Sequence, residues 1–586
     1  MKTRLFPICL ALATAFLALP GTAPAASDPS QPHLETRHGA RQLVVDGKPF
    51  LMLAGELHNS STSSREYMKP IWPLLVKKNL NTALAVITWE LIEPQEGRFD
   101  FTTVDDTLQS ARQNHLRLVI LWFGSWKNGE SSYQPSWVKA NPQRFPWVKD
   151  RTGKTLNILS TFGDATRDAD ARAFAALMRH LREVDGKEHT VLAMQVENEV
   201  GVLGDSRDHI AAANEAFAGP VPKDLMNYLV QHKNILAPEL RQVWAAQGSK
   251  TSGTWEEVFG PGRPDSVPPV PEAERDTAWH QTYWLVDEAF MAWRYSMFVN
   301  KVAATGKAEY DIPMYVNTWL QEPSHPQPGQ FPSGCPEPEV HDIWRFGAPS
   351  IDILAPDLYV ATFAETCERF IRNANPLFIP ETSANASNAL VAYLEYNTIC
   401  FSPFGIDGRG PVQGSNGPTP PDALAQTYAI LDYLAPVILE NQGRGTILIL
   451  QPMNDTNAPP QELKLGDFTL NITYGAGGGG GRRGGGGGDL GSSGVGPAAA
   501  NISPARFVIN SGPGEYVIVG GPMRVTFTPN RPERGSVVMG SFDESLYVDG
   551  HWVAGRRLNG DETGNNTRWP SLASFGIYRY SVFQRH

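Results

Sequence analysis

The stretch VLAMQVENEVG, from Val191 to Gly201, decides how we interpret the fold. Its first six residues are almost all apolar, and the run stops abruptly at Glu197, Asn198 and Glu199. A short apolar run is typical of a strand buried on both faces, as in a parallel sheet. The acidic residues would then lie at the carboxyl end of that strand, which is the rim where α/β barrels carry their catalytic residues.

A second apolar run, from Pro376 to Pro380, also ends in a carboxylate, Glu381. Enough chain separates it from Glu199 for the elements between strands 4 and 7 of a barrel. Two carboxylates that meet on one face from two strand ends are what retaining glycoside hydrolysis requires.

Eight apolar segments alternate with helical patterns up to residue 442, which predicts an α/β fold, a (β/α)8 TIM barrel. The predicted strands are a segment ending at Glu56, Asn81–Thr88, Leu116–Phe123, Val191–Val196, Pro313–Thr318, Ile351–Asp357, Pro376–Glu381 and one within Thr398–Asp407. The predicted helices include Ser64–Lys78, Thr103–Asn114, Asp168–Glu183, Lys223–Asn234, Ala278–Thr305 and Ala423–Gln442. A doubly wound sheet is the alternative, but it would need a glycine-rich turn after the first strand, and Ala54–His58 contains none.

Short apolar segments separated by Gly, Pro, Asn and Asp replace this pattern after residue 442. They predict a smaller all-β sandwich over 443–586, following the barrel at 27–442. Within it, residues 475–488 are a low-complexity glycine run, which we interpret as a flexible surface loop.

Composition and the amino terminus narrow the class of protein. The net charge of −11 argues against nucleic acid as a partner, because phosphate binding needs a basic surface. Residues 1–26 form a signal peptide pattern with cleavage near Ala25 or Ala26, so we expect a periplasmic or secreted protein. No other stretch is long enough to cross a bilayer. The oligomeric state is left open.

The cysteines and the possible metal ligands of the sequence do not indicate a catalytic or metal-binding site. Three cysteines remain after the signal segment, and Cys335 and Cys367 could form a disulfide, whereas Cys400 lies in an apolar stretch. His, Cys and carboxylates show no metal-ligand spacing, so we expect neither a metal nor a cofactor.

Polar and aromatic residues follow most of the predicted strands, which indicates a pocket rich in carboxylates and rings. We expect substrate to be bound by Glu56, His58, Trp89, Glu93, Trp122, Trp126, Asn198, Asp357 and Tyr359. Asp407 is left out, because Gly405–Gly408 is typical of a simple turn. For Glu197 we favour a structural role over a catalytic one.

Two segments resemble glycoside hydrolase family 35, the β-galactosidases. The segment Gln195–Gly201 resembles that family's QxENEYG acid/base motif, and Asn81–Phe101 resembles its N-T…W…H-E-P stretch. The departures from the family's pattern, such as Val200 in place of Tyr, point to a divergent bacterial branch.

The resemblance implies roles for three residues. Glu199 would be the acid/base, Glu381 the nucleophile, and Asn198 would bond the sugar 2-hydroxyl. The expected activity is that of a secreted, retaining exo-β-galactosidase acting on terminal β-D-galactosides of oligo- or polysaccharides. Two alternatives stay open: another retaining enzyme of the same clan, acting on a β-glucoside, β-mannoside or β-xyloside, and a carbohydrate-binding protein without activity.

Overall fold

The structure is a computed structural model that describes residues 28–267, 283–408, 422–450, 459–474, 505–548, 551–558, 571–572 and 575–585. The predicted signal segment 1–26 and the glycine run 475–488 lie outside the described residues. In the part of the chain that is described, no helix combines the length and the apolar character needed to cross a membrane.

Eight parallel strands close into a barrel, which confirms the predicted fold class. Each predicted barrel strand overlaps an observed one. In chain order the strands are β4 (Met52–Glu56), β5 (Thr82–Thr88), β6 (Arg117–Phe123), β9 (Val191–Val196), β10 (Met314–Trp319), β11 (Ile353–Leu358), β12 (Ile379–Thr382) and β13 (Cys400–Pro403).

Alternate residues of each barrel strand face opposite sides, as the pleat requires. In β6, Val119, Leu121 and Phe123 pack inside the barrel, whereas Ile120 and Trp122 pack outward in the core that includes the surrounding helices. The barrel is therefore a filled core, and only its rim is open to chemistry.

Each predicted barrel helix overlaps an observed one, with two corrections, and residues 278–282 of the helix predicted over Ala278–Thr305 lie outside the described residues. Ser64–Lys78 was predicted as one helix, but the structure has two, separated at Pro70, and Leu74 is 46% exposed. The helix predicted over Ala423–Gln442 is likewise divided next to Pro436. Proline lacks the N–H that a continuous helix needs. The helices are α1 (Arg65–Met68), α2 (Trp72–Lys77), α3 (Trp89–Ile92), α4 (Thr102–Gln113), α5 (Ser136–Lys139), α6 (Asp164–Asp185), α7 (Ala211–Ala218), α8 (Lys223–Gln231), α9 (Pro238–Ala246), α10 (Trp255–Phe259), α11 (Leu285–Glu309), α12 (His341–Gly347), α13 (Phe363–Phe370), α14 (Ala386–Leu394), α15 (Ala423–Tyr433) and α16 (Ala435–Asn441).

An antiparallel sheet at the amino end covers the bottom of the barrel. It consists of β1 (His33–Arg37), β2 (Ala40–Val45) and β3 (Lys48–Phe50). Leu43 and Val45 pack with the inward-facing barrel residues. A small hairpin, β7 (Trp147–Lys149) and β8 (Thr155–Leu159), lies in the long loop after β6.

Two antiparallel sheets follow the barrel and confirm the predicted all-β region. Val508 and Ile518 of the larger sheet pack against the smaller sheet, while Phe507 and Val517 belong to the same hydrophobic core as the barrel. The larger sheet is therefore apolar on both faces and fastens the sandwich to the barrel. It contains β14 (Ile447–Ile449), β17 (Phe507–Gly512), β18 (Glu515–Gly520), β20 (Ser536–Val548), β21 (His551–Arg557) and β23 (Gly576–Arg585), and the smaller sheet β15 (Gln461–Leu465), β16 (Phe468–Tyr474), β19 (Met523–Pro529) and β22 (Ser571–Leu572).

All three described cysteines are free and buried, so the suggested Cys335–Cys367 disulfide is not formed in this structure. Cys400 packs among apolar residues inside the barrel.

Candidate active site

Three carboxylates meet at the carboxyl ends of the barrel strands. Glu199 follows β9, Asp357 lies near the end of β11, and Glu381 lies near the end of β12. Each offers an oxygen, and the three oxygens lie within 4.8 Å of one another. All three residues are buried, with Glu381 the most exposed at 8%. Strands far apart in the chain thus deliver a compact acidic cluster to the rim.

The backbone around Glu199 is held in an uncommon conformation. Glu197 and Glu199 have φ values of +64° and +43°, a region that bulky residues seldom adopt. The Glu199 N–H donates to Asn317 Oδ1 at 3.0 Å, and Asn317 Nδ2 donates to Asp357 Oδ2 at 2.6 Å. Asn317 therefore fixes Glu199 relative to Asp357. Such local strain is stable only where surrounding contacts impose it.

Gly201 ends the motif because no side chain fits there. A Cβ at this position would lie 2.4 Å from the backbone carbon of Pro332. The glycine of the motif thus serves close packing against the loop after β10.

Burial and neighbouring negative charge control protonation in the cluster. Burial, and then the charge of Glu381, raises the pKa of Glu199 to about 7. Burial, and then the charges of Glu381 and Glu199, raise the pKa of Asp357 well above its usual range. The carboxyl groups of Glu199 and Asp357 are close enough to share a hydrogen bond, which requires a proton between them. Near neutral pH the cluster can therefore hold a protonated carboxyl beside an ionised one.

Glu381 has one oxygen held and one free. The half-exposed Tyr359 donates its O–H to Glu381 Oε1 at 2.8 Å. The other oxygen, Oε2, is buried and has no partner among the described residues. A carboxylate oriented in this way presents a single oxygen for reaction.

Glu56 and His58 lie at the end of β4. Glu56 is 1% exposed, and burial followed by the charge of Glu381 raises its pKa well above the usual range. His58 Nδ1 lies 2.7 Å from Asp407 Oδ1, and Ser61 Oγ donates to the same carboxylate at 2.6 Å. Asp407, which lies in a segment typical of a simple turn, therefore also positions His58.

Glu197 and Asn198 hold the loop after β6. Glu197 Oε2 accepts from the Trp126 N–H at 2.9 Å, and its carboxyl pairs with that of the buried Asp170. Asn198 Oδ1 accepts from the Asn128 N–H at 3.3 Å, while its Nδ2 is buried without an acceptor in the described part of the chain. Glu197 thus contacts structural groups, and Asn198 retains a free donor.

Four residues predicted to bind substrate lie outside this cluster. The Trp122 indole donates to Asp170 Oδ1 at 2.9 Å, and Trp126 donates to the Leu159 carbonyl at 3.1 Å. Trp89 donates to Glu93 Oε2 at 2.9 Å. All four are at most 1% exposed. Because their polar groups are satisfied within the protein and their surfaces are packed, the structure favours structural roles for these four residues over substrate binding.

Two further residues, Asn317 and Lys127, act on the cluster and were not predicted from the sequence. Asn317 is an amide residue within a buried strand, next to Thr318, and this was an available signal. Lys127 is 7% exposed, and its charge acts on Glu199, Glu381, Glu56 and Asp357. Burial opposes its charge, but these carboxylates together raise the pKa of Lys127. Lys127 lies in a Lys-Asn-Gly segment that resembles an ordinary surface turn.

The Glu199, Asp357 and Glu381 oxygens are also the one group within the described ranges whose spacing suits a metal ion. The sequence predicted no metal site. The same spacing serves proton transfer and covalent catalysis by carboxylates, and Lys127 already supplies a positive charge beside them.

A Trp122→Phe variant tests the structural placement of the ring. We expect the free energy of unfolding to fall by about 1–3 kcal/mol, because the buried Asp170 carboxyl loses a donor. The KM for a glycoside should stay unchanged. Urea denaturation and steady-state kinetics measure the two quantities. Tyr359→Phe is the matched comparison, since it should alter kinetics with little loss of stability. A raised KM in Trp122→Phe at unchanged stability would indicate that the Trp122 ring contacts the substrate.

A family model described as "Beta-galactosidase", that of glycoside hydrolase family 42, matches residues 59–388, more than half of the chain. The chain belongs to this β-galactosidase family. The motif resemblance named family 35, and that family number is not confirmed, whereas the assignment to β-galactosidase-like glycoside hydrolases holds. A second model, described as a domain of unknown function (DUF5597), matches residues 424–569.

Relatives of this β-galactosidase family member include a "Beta-galactosidase" of Xanthomonas manihotis, 33% identical over 36% of this chain and 33% of that protein. A "Beta-galactosidase-1-like protein 3" of Homo sapiens is 24% identical over 36% of this chain and 31% of its own length. The matches thus span about a third or less of the curated relatives. Among solved structures, a β-galactosidase from Bacillus circulans sp. alkalophilus is 14% identical with a TM-score of 0.43, covering 66% of this chain and 57% of that one.

Proposed function

We propose that this protein is a retaining exo-β-galactosidase that removes terminal β-D-galactosides from oligo- or polysaccharides. The carrying observation is that Glu199 and Glu381 offer oxygens within 4.8 Å of each other at the carboxyl ends of β9 and β12. Retaining glycosidases place their two carboxyl groups about 5–5.5 Å apart, whereas inverting enzymes leave room for a water at about 6.5–9.5 Å. The burial of both residues favours a closed pocket for one terminal sugar.

The first chemical step divides the work between the two carboxyl groups. Glu381 Oε2 attacks the anomeric carbon, a C–O bond to Glu381 forms, and the bond to the leaving oxygen breaks. Glu199, protonated below a pKa of about 7, gives its proton to that oxygen. Tyr359 holds the other Glu381 oxygen and thereby orients the attack.

The second step reverses these roles. Glu199, now ionised, removes a proton from water, and the water oxygen attacks the anomeric carbon while the bond to Glu381 breaks. Asp357 can stabilise the ionised Glu199 through the proton between their carboxyl groups. The free Asn198 Nδ2 is a donor for the sugar 2-hydroxyl, and Glu56 is an acceptor for another hydroxyl.

Location and domain boundaries complete the proposal. The pattern at residues 1–26 supports export to the periplasm or outside the cell. We place the barrel at 27–442 and the sandwich at 443–586, with the sandwich stabilising the barrel through the shared core.

The test is a panel of 4-nitrophenyl β-glycosides: galactoside, glucoside, mannoside and xyloside. We expect kcat/KM for the galactoside to exceed the others by at least about tenfold, because one misplaced hydroxyl leaves buried polar groups unpaired. Proton NMR should show the β-anomer of galactose as the first product. An α-anomer appearing first would overturn the nucleophile assignment, and faster release of another sugar would keep the mechanism and discard galactose. Silence across the whole panel would favour the binding protein without activity.

A further inference from the structure

The loop after β6 carries a lysine into the acidic cluster and holds its backbone rigidly. Asn128 and Gly129 have φ values of +53° and +64°, as in a type I′ turn, and Lys127 and Glu130 exchange backbone hydrogen bonds of 2.8 and 3.0 Å. The flanking N–H groups of Trp126 and Asn128 donate to Glu197 and Asn198. The motif that delivers Glu199 therefore also positions Lys127.

The Lys127 ammonium lacks the partners that a buried charge normally has. The residue is 93% buried, and its Nζ lies 5.1 Å from the centre of the Phe123 ring. Across the described ranges, no carboxylate oxygen comes within 4.0 Å of Nζ, and no acceptor forms a hydrogen bond with it. An ammonium has three donors, and in a mostly buried residue each of them favours a hydrogen-bond acceptor. The fold thus presents a fixed donor without an acceptor of its own.

We propose that Lys127 is a substrate-contacting residue whose ammonium donates a hydrogen bond to a hydroxyl oxygen of the terminal sugar. This inference rests on the proposed function of the site and deepens it. Four buried residues with carboxyl groups, Glu56, Glu199, Asp357 and Glu381, interact electrostatically with this single ammonium. One ionised carboxylate in this cluster is enough to balance the ammonium charge, so the occupant need not be an anion, and we take it to be a neutral sugar recognised through its hydroxyls.

The experiment combines Lys127→Met, which keeps length but removes the donors, with aryl glycosides that lack one hydroxyl at a time. One deoxy substrate should reduce kcat/KM of the wild type by about 10–100-fold, since a hydrogen bond to a charged donor is lost. Lys127→Met should show a similar loss with the complete sugar and almost no further loss with that deoxy substrate. For every other deoxy substrate, the reduction in kcat/KM relative to the complete sugar should be the same in the variant and in the wild type.

Controls separate this role from folding and from the proposed function. Lys77→Met, on the exposed face of α2, should leave kcat/KM unchanged for the complete sugar and for every deoxy substrate. Circular dichroism checks folding, and Lys127→Gln provides a second variant if Lys127→Met does not fold. If the wild type prefers another glycone, the deoxy series of that sugar is used. If it turns over none, the same comparison is made with dissociation constants of the monosaccharides. A failure of the galactosidase proposal therefore leaves this test intact.

Two results would overturn the inference. The losses from Lys127→Met and from each deoxy substrate could multiply independently, which would mean that Lys127 contacts no hydroxyl. Alternatively, the wild type could hydrolyse an aryl β-galacturonide faster than the galactoside, with that preference lost in Lys127→Met, which would assign the lysine to a sugar carboxylate.

Discussion

Replacing Glu381 with glycine is expected to reduce kcat for 4-nitrophenyl β-galactoside by at least about 10³-fold, because the covalent route is removed. Azide should restore turnover, since it fits the space left by the carboxylate and attacks from the same face. The product should be the α-galactosyl azide, detected by NMR. This outcome would fix Glu381 as the nucleophile.

Two comparisons make the result specific. Glu381→Gln fills the same space, so azide should not rescue it. Glu183→Gln changes an exposed glutamate of α6 and should keep wild-type kinetics. Rescue of Glu381→Gly that yields the β-azide would contradict the assignment, because that product arises when the acid/base residue is missing.

The second large effect is expected for Glu199→Gln. General acid catalysis contributes about 10²–10⁴-fold, so kcat/KM for lactose or a methyl galactoside should fall by that amount. For a dinitrophenyl galactoside, the rate of the first step should fall less, because its leaving group needs no proton. Steady-state and burst kinetics on both substrates measure the difference. Equal losses on both would argue against Glu199 as the acid.

The pH dependence of the wild type follows from the same residue. Burial and Glu381 raise the pKa of Glu199 to about 7, so its proton is present below that pH and is lost as pH rises through it. We expect kcat/KM for lactose to fall above about pH 7, and this fall should be absent in Glu199→Gln. If the alkaline fall persists in the variant, Asp357 becomes the candidate acid, because its carboxyl shares the proton.

The choice between Glu197 and Glu199 shows how local geometry separates two similar residues. Both have positive φ values, yet Glu197 contacts Trp126 and Asp170, whereas Glu199 contacts the Glu381 cluster. The resemblance of the motif favoured Glu199, and the geometry supplies a physical reason. Glu197 holds the loop that carries Lys127 by accepting a hydrogen bond from the Trp126 N–H.

The amino-acid sequence by itself determined the barrel and its catalytic candidates. Apolar runs ending in polar residues located all eight strands, since a strand buried on both faces needs continuous apolar residues. The parallel arrangement then required Glu199, Asp357 and Glu381 to emerge at one rim, because parallel strands end on the same side.

Only the tertiary structure decided which nearby side chains belong to that rim. Leu121 and Phe123 face the inside of the barrel, so Trp122 between them points away from the barrel axis. The sequence could not predict this, because a strand made only of apolar residues does not show which of its faces is inward. Trp126 and Lys127 lie beyond the strand, where no periodicity exists, and contacts with Glu197 and Asn198 set their positions. Such contacts join residues about 70 positions apart in the chain, so they follow from the closed barrel and not from local pattern.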